Sequence, residues 1–122
     1  MLQDSIREGG ISISNYSQML KGIMEGCILA VIEEGEVYGY ELSLRLQQYG
    51  FPEVSEGSIY PLLLRLQKEN LIRGTMHKSP SGGPPRKYYH LTEAGTAQLM
   101  HFRQQWTELS SAVNRVIHGK RK

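Results

Sequence analysis

Apolar residues recur three and four positions apart in the first part of the chain, which is the spacing of one helix face. The pattern predicts a first helix over residues 15–34 and a second over residues 38–49. The apolar face of the first helix carries Leu20, Ile23, Met24, Cys27, Ile28 and Val31. The apolar face of the second carries Leu42, Leu46 and Tyr49. Both faces are expected to pack into one core.

A third helix is predicted after Ser55, whose side chain can accept a backbone N–H two or three residues on. Its core-facing residues are expected to be Ile59, Leu62, Leu63 and Leu66. Its solvent side holds Gly57, Tyr60, Pro61, Leu64, Arg65 and Lys68. An aromatic ring, a proline and two cations make that side a candidate binding surface. Because Pro61 removes one helix hydrogen bond, either the helix begins near Ser58 or its first turn is distorted.

Two strands are predicted after the third helix, over residues 71–76 and 86–91. Tyr88 and Tyr89 point to opposite faces of the second strand, so one of them is expected in the core. The connection HKSPSGGPP is rich in glycine and proline, which favours a hairpin tip. Three helices followed by a basic two-stranded projection is the order of a winged helix. The predicted fold class is therefore mainly α (α+β), with a two-stranded wing.

The last predicted helix begins after Thr92 and ends near His118, and its apolar residues follow a heptad seam. The seam consists of Leu99, Phe102, Trp106, Leu109, Val113 and Val116. A helix of roughly 25 residues is about 37 Å long, which is more than a domain this small can cover. The seam therefore packs on the chain's own first helix, on a second copy of the chain, or on both. We expect a two-fold homodimer with these seam residues at the interface.

Composition restricts the class of protein. The 122 residues have room for one small domain, and the single cysteine, Cys27, cannot form an internal disulfide. Within the apolar stripe, Cys27 is expected to be a small buried residue rather than a reactive thiol. The longest apolar run has six residues, against about 20 for a membrane span, and the start lacks the pattern of a secretory signal. We expect a cytoplasmic protein with no membrane partner.

Charge is distributed unevenly along the chain. Residues 1–54 contain eight acidic and three basic side chains, whereas residues 55–91 contain two acidic and six basic ones. Residues 92–122 contain two acidic and five basic side chains. A basic second half joined to an acidic first half is compatible with a surface that faces a polyanion.

The sequence contains no arrangement typical of catalysis or of a metal site. Its four histidines, at positions 77, 90, 101 and 118, lie far apart and lack a Cys or acidic partner at a ligand spacing. There is no nucleophile elbow and no phosphate-binding glycine loop. We therefore expect neither an enzyme nor a bound metal or cofactor.

Two motifs stand out in the second half of the chain: GSIYPLLLRLQKENLI, residues 57–72, and PRKYYHLTEAG, residues 85–95. In this order and at this distance they resemble the PadR family of bacterial transcriptional regulators, and the likeness extends over about residues 19–110. The resemblance implies a homodimeric winged helix-turn-helix repressor of the short form, with a single C-terminal dimerisation helix. It also implies that the third helix enters the major groove of double-stranded operator DNA, while the wing contacts backbone or minor groove.

Carried over by position, the resemblance assigns DNA contact to residues of the third helix and of the wing. On the helix these are Ser58, Tyr60, Pro61 and Arg65, to which the exposed Lys68 is added. Around the wing they are Lys78, Arg86 and Lys87. Arg65 can grip a phosphate or a guanine edge, whereas the hydroxyls and the wing cations are suited to phosphate oxygens. Each wing cation has the alternative of being a solvated turn residue.

Trp106 is the second candidate site. In some short PadR members, a tryptophan eleven residues after the same glycine lines a cavity at the dimer interface that accepts flat aromatic or cationic molecules. Gly95 and Trp106 keep that spacing here. The resemblance thus implies an effector that releases the DNA, with Phe102, Met24 and Met100 as candidate neighbours of Trp106. The alternative is that Trp106 only packs in the seam.

The resulting organisation has four parts. They are a flexible N-terminal arm at 1–14, a winged helix-turn-helix DNA-binding domain at 15–91, a dimerisation helix at 92–118 and a basic tail at 119–122. The competing hypothesis is a winged-helix module that binds protein and not DNA. Leu64 on the solvent side of the third helix is the residue that fits DNA binding least well. A steep loss of duplex affinity with salt would favour the DNA hypothesis.

Overall fold

A computed structural model describes residues 13–78 and 80–119, with side chains from residue 22 onward. The predicted N-terminal arm lies outside the described residues, apart from residues 13 and 14, which already belong to the first helix. The predicted basic tail also lies outside them, apart from Gly119, which follows the last helix.

Four helices and three short strands make up the described chain. Along the sequence they are α1 (Ile13–Glu33), β1 (Val37–Tyr38), α2 (Gly39–Tyr49), α3 (Glu56–Lys68), β2 (Ile72–His77), β3 (Arg86–Leu91) and α4 (Glu93–His118). This order confirms the predicted winged helix-turn-helix with a long C-terminal helix. Every predicted helix boundary lies within two residues of the observed one.

The sheet is antiparallel and has one strand more than the sequence pattern predicts. Its order is β1-β3-β2, and β1 pairs Val37 with Tyr89 and Tyr38 with Tyr88. A strand of two residues is too short to show an alternation of polar and apolar positions, so the hydrophobic pattern did not predict it. The extra strand joins the end of α1 to the base of the wing.

One hydrophobic core connects all four helices to the inner face of the sheet. Buried side chains come from each element, among them Ile28, Val37, Leu42, Leu46, Ile59, Leu63, Leu66, Ile72, Tyr89 and Leu99. Tyr89 is 4% exposed while Tyr88 is half-buried, so one tyrosine of the pair lies in the core, as predicted. This core fixes α3 against α1 and the sheet and leaves the opposite side of α3 in solvent.

Three details of the predicted core are corrected. Tyr49 is not on the buried face of α2: it is 65% exposed, and its hydroxyl donates to the Glu34 carboxylate at 2.9 Å. Leu62 is only half-buried, at the edge of the core. Leu99, predicted at the dimer interface, is 1% exposed and lies inside the core of its own chain. The first turn of α4 lies against Leu71, in the segment that follows α3, and Leu99 is buried one turn later, so the seam begins inside the monomer.

The membrane question is answered for the described part of the chain. None of its helices is both long enough and apolar enough to span a bilayer.

Candidate nucleic-acid interface

The solvent side of α3 presents the predicted contact residues together. Ser58, Tyr60, Pro61, Arg65 and Lys68 are all exposed, while Ile59, Leu63 and Leu66 on the other side are buried. Leu64 is 46% exposed on the same solvent side. The predicted division of α3 into a core face and a solvent face therefore holds, except at the half-buried Leu62.

Ser58 is already engaged in capping the helix. Its Oγ accepts from the Ser55 backbone N–H at 2.9 Å and lies 2.9 Å from the Ser55 carbonyl oxygen, to which it donates. In return, the Ser55 side chain accepts from the Ser58 N–H at 3.2 Å. These bonds fix the first turn of α3, and they leave the Ser58 hydroxyl only a spare acceptor site for an external donor.

Pro61 lies inside α3, which begins at Glu56 and not at Ser58. The carbonyl of Gly57, four residues earlier, therefore has no helical N–H to accept. Gly57 is exposed, so this carbonyl lies on the side of the helix that water reaches. Of the two possibilities left open by the sequence, the early start with an interrupted first turn is the one observed.

The base of the wing meets the N-terminal half of α3 around a shallow depression. Its volume is about 270 Å³, and its walls are formed by Tyr38, Gly39, Glu56, Tyr60, Leu63, Arg86, Lys87 and Tyr89. Three of the predicted DNA contacts, Tyr60, Arg86 and Lys87, thus share one concave surface although up to 27 residues separate them in sequence. Burial, with smaller effects from the nearby Tyr60 and Glu56, raises the pKa of Tyr89.

Aromatic rings hold the two cations at the base of the wing. The guanidinium carbon of Arg86 lies 4.5 Å from the centre of the Tyr38 ring, and Lys87 Nζ lies 5.9 Å from the centre of the Tyr89 ring. Lys78, at the far end of β2, is exposed. Tyr38 belongs to strand β1, which the hydrophobic pattern did not predict, so its contact with Arg86 was not expected either.

Arg65 differs from the other α3 cation because carboxylates of its own chain surround it. Its Nη1 is 3.3 Å from Glu25 Oε2 on α1, and its Nε donates to Glu69 Oε2 at 3.2 Å. The Glu69 hydrogen bond and the charges of both carboxylates raise the pKa of Arg65. The prediction treated Arg65 as a free contact residue, and it overlooked Glu25 because α1 and α3 meet only in three dimensions.

The heptad seam of α4 is divided between the core and solvent. Leu99 is buried and Phe102 half-buried, whereas the later members are exposed. Their exposed fractions are 44% for Trp106, 57% for Leu109, 45% for Val113 and 82% for Val116. Within the described residues, only the beginning of the seam is therefore buried, and its later members form an exposed apolar face.

An open groove lies between α1 and α4 beside Trp106. It measures about 750 Å³ and is lined by Gly22, Ile23, Glu25, Gln98, Phe102, Gln105, Trp106, Glu108 and Leu109. The Phe102 ring packs so closely on Gly26 that a Cβ at that position would overlap it. Of the predicted neighbours of Trp106, only Phe102 lines this groove. Met24 is buried in the core, and Met100 is exposed elsewhere on α4.

No group of three or more His, Cys, Asp and Glu side chains suited to a metal ion occurs in the described parts of the chain. One carboxylate lies between two histidines: that of Glu36 is 3.5 Å from His77 Nε2 and 3.8 Å from His90 Nδ1. Cys27 is half-buried, and burial raises the pKa of its thiol, which favours the unreactive protonated form.

Comparison with known proteins identifies the family. Residues 28–101 match the family described as the transcriptional regulator PadR-like family. The chain belongs to the PadR family. A PadR-like transcriptional regulator from Bacillus cereus is 58% identical over 84% of this chain and 99% of that one, with a TM-score of 0.78. The PadR resemblance inferred from the two sequence motifs is thereby confirmed.

Two further relatives define the reach of the PadR likeness. Transcriptional regulator Rv3488 of Mycobacterium tuberculosis is 34% identical over 86 residues, which are 70% of this chain and 78% of that protein. Bacillus subtilis PadR, crystallised in complex with operator DNA, is 24% identical over 66% of this chain and 45% of that one, with a TM-score of 0.58. At that identity the DNA complex establishes a shared fold only.

Proposed function

We propose that this PadR-family regulator binds double-stranded operator DNA as a homodimer and represses transcription. The observation that carries the proposal is the shared surface at the base of the wing, where Tyr60 of α3 meets Arg86 and Lys87 of β3. A helix that projects from a rigid core beside a basic hairpin fits the major groove and the adjacent phosphates of one duplex.

The contact residues contribute unequally to this proposal. Lys68 is exposed in the last turn of α3, and Lys78, Arg86 and Lys87 supply cations along the wing. These four side chains suit phosphate oxygens, so they provide affinity with little dependence on sequence. Arg65 must first leave its carboxylates before it can contact DNA. The hydroxyl of Tyr60 adds a neutral hydrogen-bonding group between the helix and the wing.

A second copy of the chain is the proposed partner of α4. At 26 residues this helix is about 39 Å long, and four of its seam residues are exposed. We propose that Trp106, Leu109, Val113 and Val116 form the dimer interface, with Phe102 at its edge. Leu99 is omitted because its apolar surface is already covered within the monomer. A two-fold dimer would present two α3 helices to one duplex.

The groove beside Trp106 is the proposed effector site. Two aromatic rings, Phe102 and Trp106, offer surfaces on which a flat molecule can stack, and the carboxylates of Glu25 and Glu108 favour a positive charge. Among the described residues that line the groove, none is Lys or Arg. We propose a planar aromatic or cationic effector that releases the operator DNA.

The test of DNA binding is a titration of a labelled duplex, taken from the region upstream of the protein's own gene, at two salt concentrations. Wild-type affinity should fall steeply as salt rises, because bound cations release counterions from the phosphates. Lys87→Ala should weaken binding and reduce the slope of log K against log salt by about 1. Arg103→Ala on α4, which removes an equal charge away from the proposed surface, is the matched control and should have little effect.

The same titration separates the proposal from the protein-binding alternative. Salt-independent or absent duplex binding by the wild-type protein would reject DNA recognition and leave Leu64 and its neighbours as a surface for a protein partner. Repression has its own test, in which a reporter driven by the upstream region is measured with and without the regulator. Higher reporter expression in the presence of the regulator would reject the repressor role while leaving DNA binding intact.

A further inference from the structure

We propose that Glu25 is a shared carboxylate through which a cation in the Trp106 groove competes with Arg65 of the DNA-binding helix. The inference rests on the proposed effector groove and extends it by naming the residue that senses the ligand's charge. It also gives the groove a direct connection to α3.

The position of Glu25 makes it a neighbour of both sites. Glu25 is one of the residues that line the Trp106 groove, and its Oε2 lies 3.3 Å from Arg65 Nη1. A smaller cleft next to the groove is lined by Arg65 and Glu69 and shares Gly22, Glu25, Gln98 and Phe102 with it. The side chain of Glu25 therefore lies between the groove and Arg65 of α3.

The partly buried position of Glu25 makes a nearby positive charge more important for the stability of its carboxylate. Its side chain is only 17% exposed and its Oε2 is buried, so water screens this carboxylate poorly. A carboxylate in such a position is costly without a positive partner nearby. A flat cation stacked on Trp106 and Phe102 can provide the same charge as Arg65 from the groove side.

Arg65 can release Glu25 at low cost because it has a second carboxylate. Its Nε donates to Glu69 Oε2 at 3.2 Å, one helical turn along α3, and its side chain is 52% exposed. When a cation takes Glu25, Arg65 keeps Glu69 and gains freedom to reach a phosphate. Through this exchange alone, a cationic ligand leaves Arg65 more available to DNA than a neutral ligand of the same shape does. Release of the operator by a cationic effector must therefore come from a change in the packing around the groove that outweighs this local effect.

The test uses two probes without DNA, each followed by quenching of Trp106 fluorescence at pH 8. N-methylacridinium is a permanent flat cation, and acridine is nearly the same ring without the charge. Arg65→Gln should tighten N-methylacridinium binding about two- to fivefold, the range expected for a partly exposed ion pair. Glu69→Gln should weaken it, because Arg65 then depends more on Glu25. Neither variant should change the affinity for acridine.

Matched controls separate competition at Glu25 from general electrostatics. Arg103→Gln removes an equal charge elsewhere and should leave N-methylacridinium affinity nearly unchanged. Glu25→Gln should lower the affinity for N-methylacridinium more than Glu108→Gln, which neutralises another groove carboxylate. In the Glu25→Gln background, Arg65→Gln should no longer tighten binding, since the shared partner is gone. Urea unfolding of each variant checks that the fold is retained.

Three outcomes overturn the proposal. They are equal effects of Arg65→Gln and Arg103→Gln, persistence of the Arg65→Gln effect without Glu25, and failure of the wild-type protein to bind the cation. Failure of the wild-type protein to bind its upstream duplex would instead reject the proposed DNA function. That result would leave the exchange at Glu25 standing, because the probe measurements contain no DNA.

Discussion

Gly95 is the residue at which α4 approaches Leu71, in the segment that follows α3. It is buried in the first turn of α4, its N–H donates to Thr92 Oγ1 at 2.9 Å, and a Cβ added there would meet the backbone carbonyl of Leu71. Since that neighbour is main chain and not a flexible side chain, it cannot move aside without shifting the segment after α3.

Replacing Gly95 by Ala should therefore destabilise the protein. We expect a loss of about 1 to 3 kcal/mol in the free energy of unfolding, as is typical of overpacking, measured by urea denaturation. Thr96→Ala, at an exposed neighbouring position, is the control and should stay within about 0.5 kcal/mol of wild type. An unchanged Gly95→Ala midpoint would mean that α4 and Leu71 separate readily.

Individual residues show where sequence reasoning stops. The exposure of Tyr60, Pro61 and Lys68 followed from the helical period alone. The carboxylates around Arg65 did not, because Glu25 lies 40 residues earlier and only packing of α1 on α3 brings it close. The helical period predicts which side chains are exposed, but it does not predict whether an exposed polar group is paired with another residue of the chain.

At the scale of elements, α3 contains a built-in interruption. Pro61 leaves the Gly57 carbonyl without its helical donor. Pro61→Ala should restore that bond and raise the free energy of unfolding by about 1 to 2 kcal/mol, after allowing for the greater entropy of the unfolded chain. Urea denaturation measures the gain, and Pro84→Ala in the exposed wing tip should give none. No gain at position 61 would mean that the first turn cannot relax into a regular helix.

The contact between α1 and α4 has a pH-dependent component. Arg103 donates to the Glu33 carboxylate at 2.9 Å, and this hydrogen bond holds the pKa of Glu33 below its ordinary value. The contribution to stability is complete above the ordinary pKa of a glutamate and is lost as the pH falls through the lowered folded-state pKa. Arg103→Gln should return the pKa to its ordinary value, as measured by an NMR titration of the Glu33 carboxyl. Identical titrations in both proteins would contradict this pairing.

Elements were predicted better than their contacts. Helix limits followed from signals that act locally, such as the Ser55 cap, the Thr92 cap and Gly50 after α2. Strand β1 was missed because its two residues gain their hydrogen bonds from β3, about 50 positions later in the chain. The depression between the wing and α3 depends on that pairing. The sequence therefore predicted the contact residues of α3 and those of the wing as two separate sets, and not the surface that they share.

At the scale of the whole molecule, the uncovered face of α4 determines the expected assembly. Leu109→Glu places a charge in the middle of this face, where a partner would exclude water, so the variant should shift from dimer to monomer. Sedimentation velocity measures the change. Met100→Glu is the control, since Met100 is also exposed but lies nearly opposite the seam on the helix. A monomeric wild-type protein, or a dimer that tolerates Leu109→Glu, would exclude this interface.

The side chain of Thr92 has a mechanical consequence. Its hydroxyl donates to the carbonyls of Asn70 and Leu71, at 2.7 and 3.2 Å, and accepts the N–H of Gly95. These hydrogen bonds join the segment that follows α3 to the first turn of α4. In a dimer of such chains, the crossing angle between the two α4 helices would therefore set the distance between the two α3 helices. Half-sites on DNA are spaced by one helical turn of about 34 Å. A change of a few degrees in the crossing angle would therefore decide whether both α3 helices fit the same duplex.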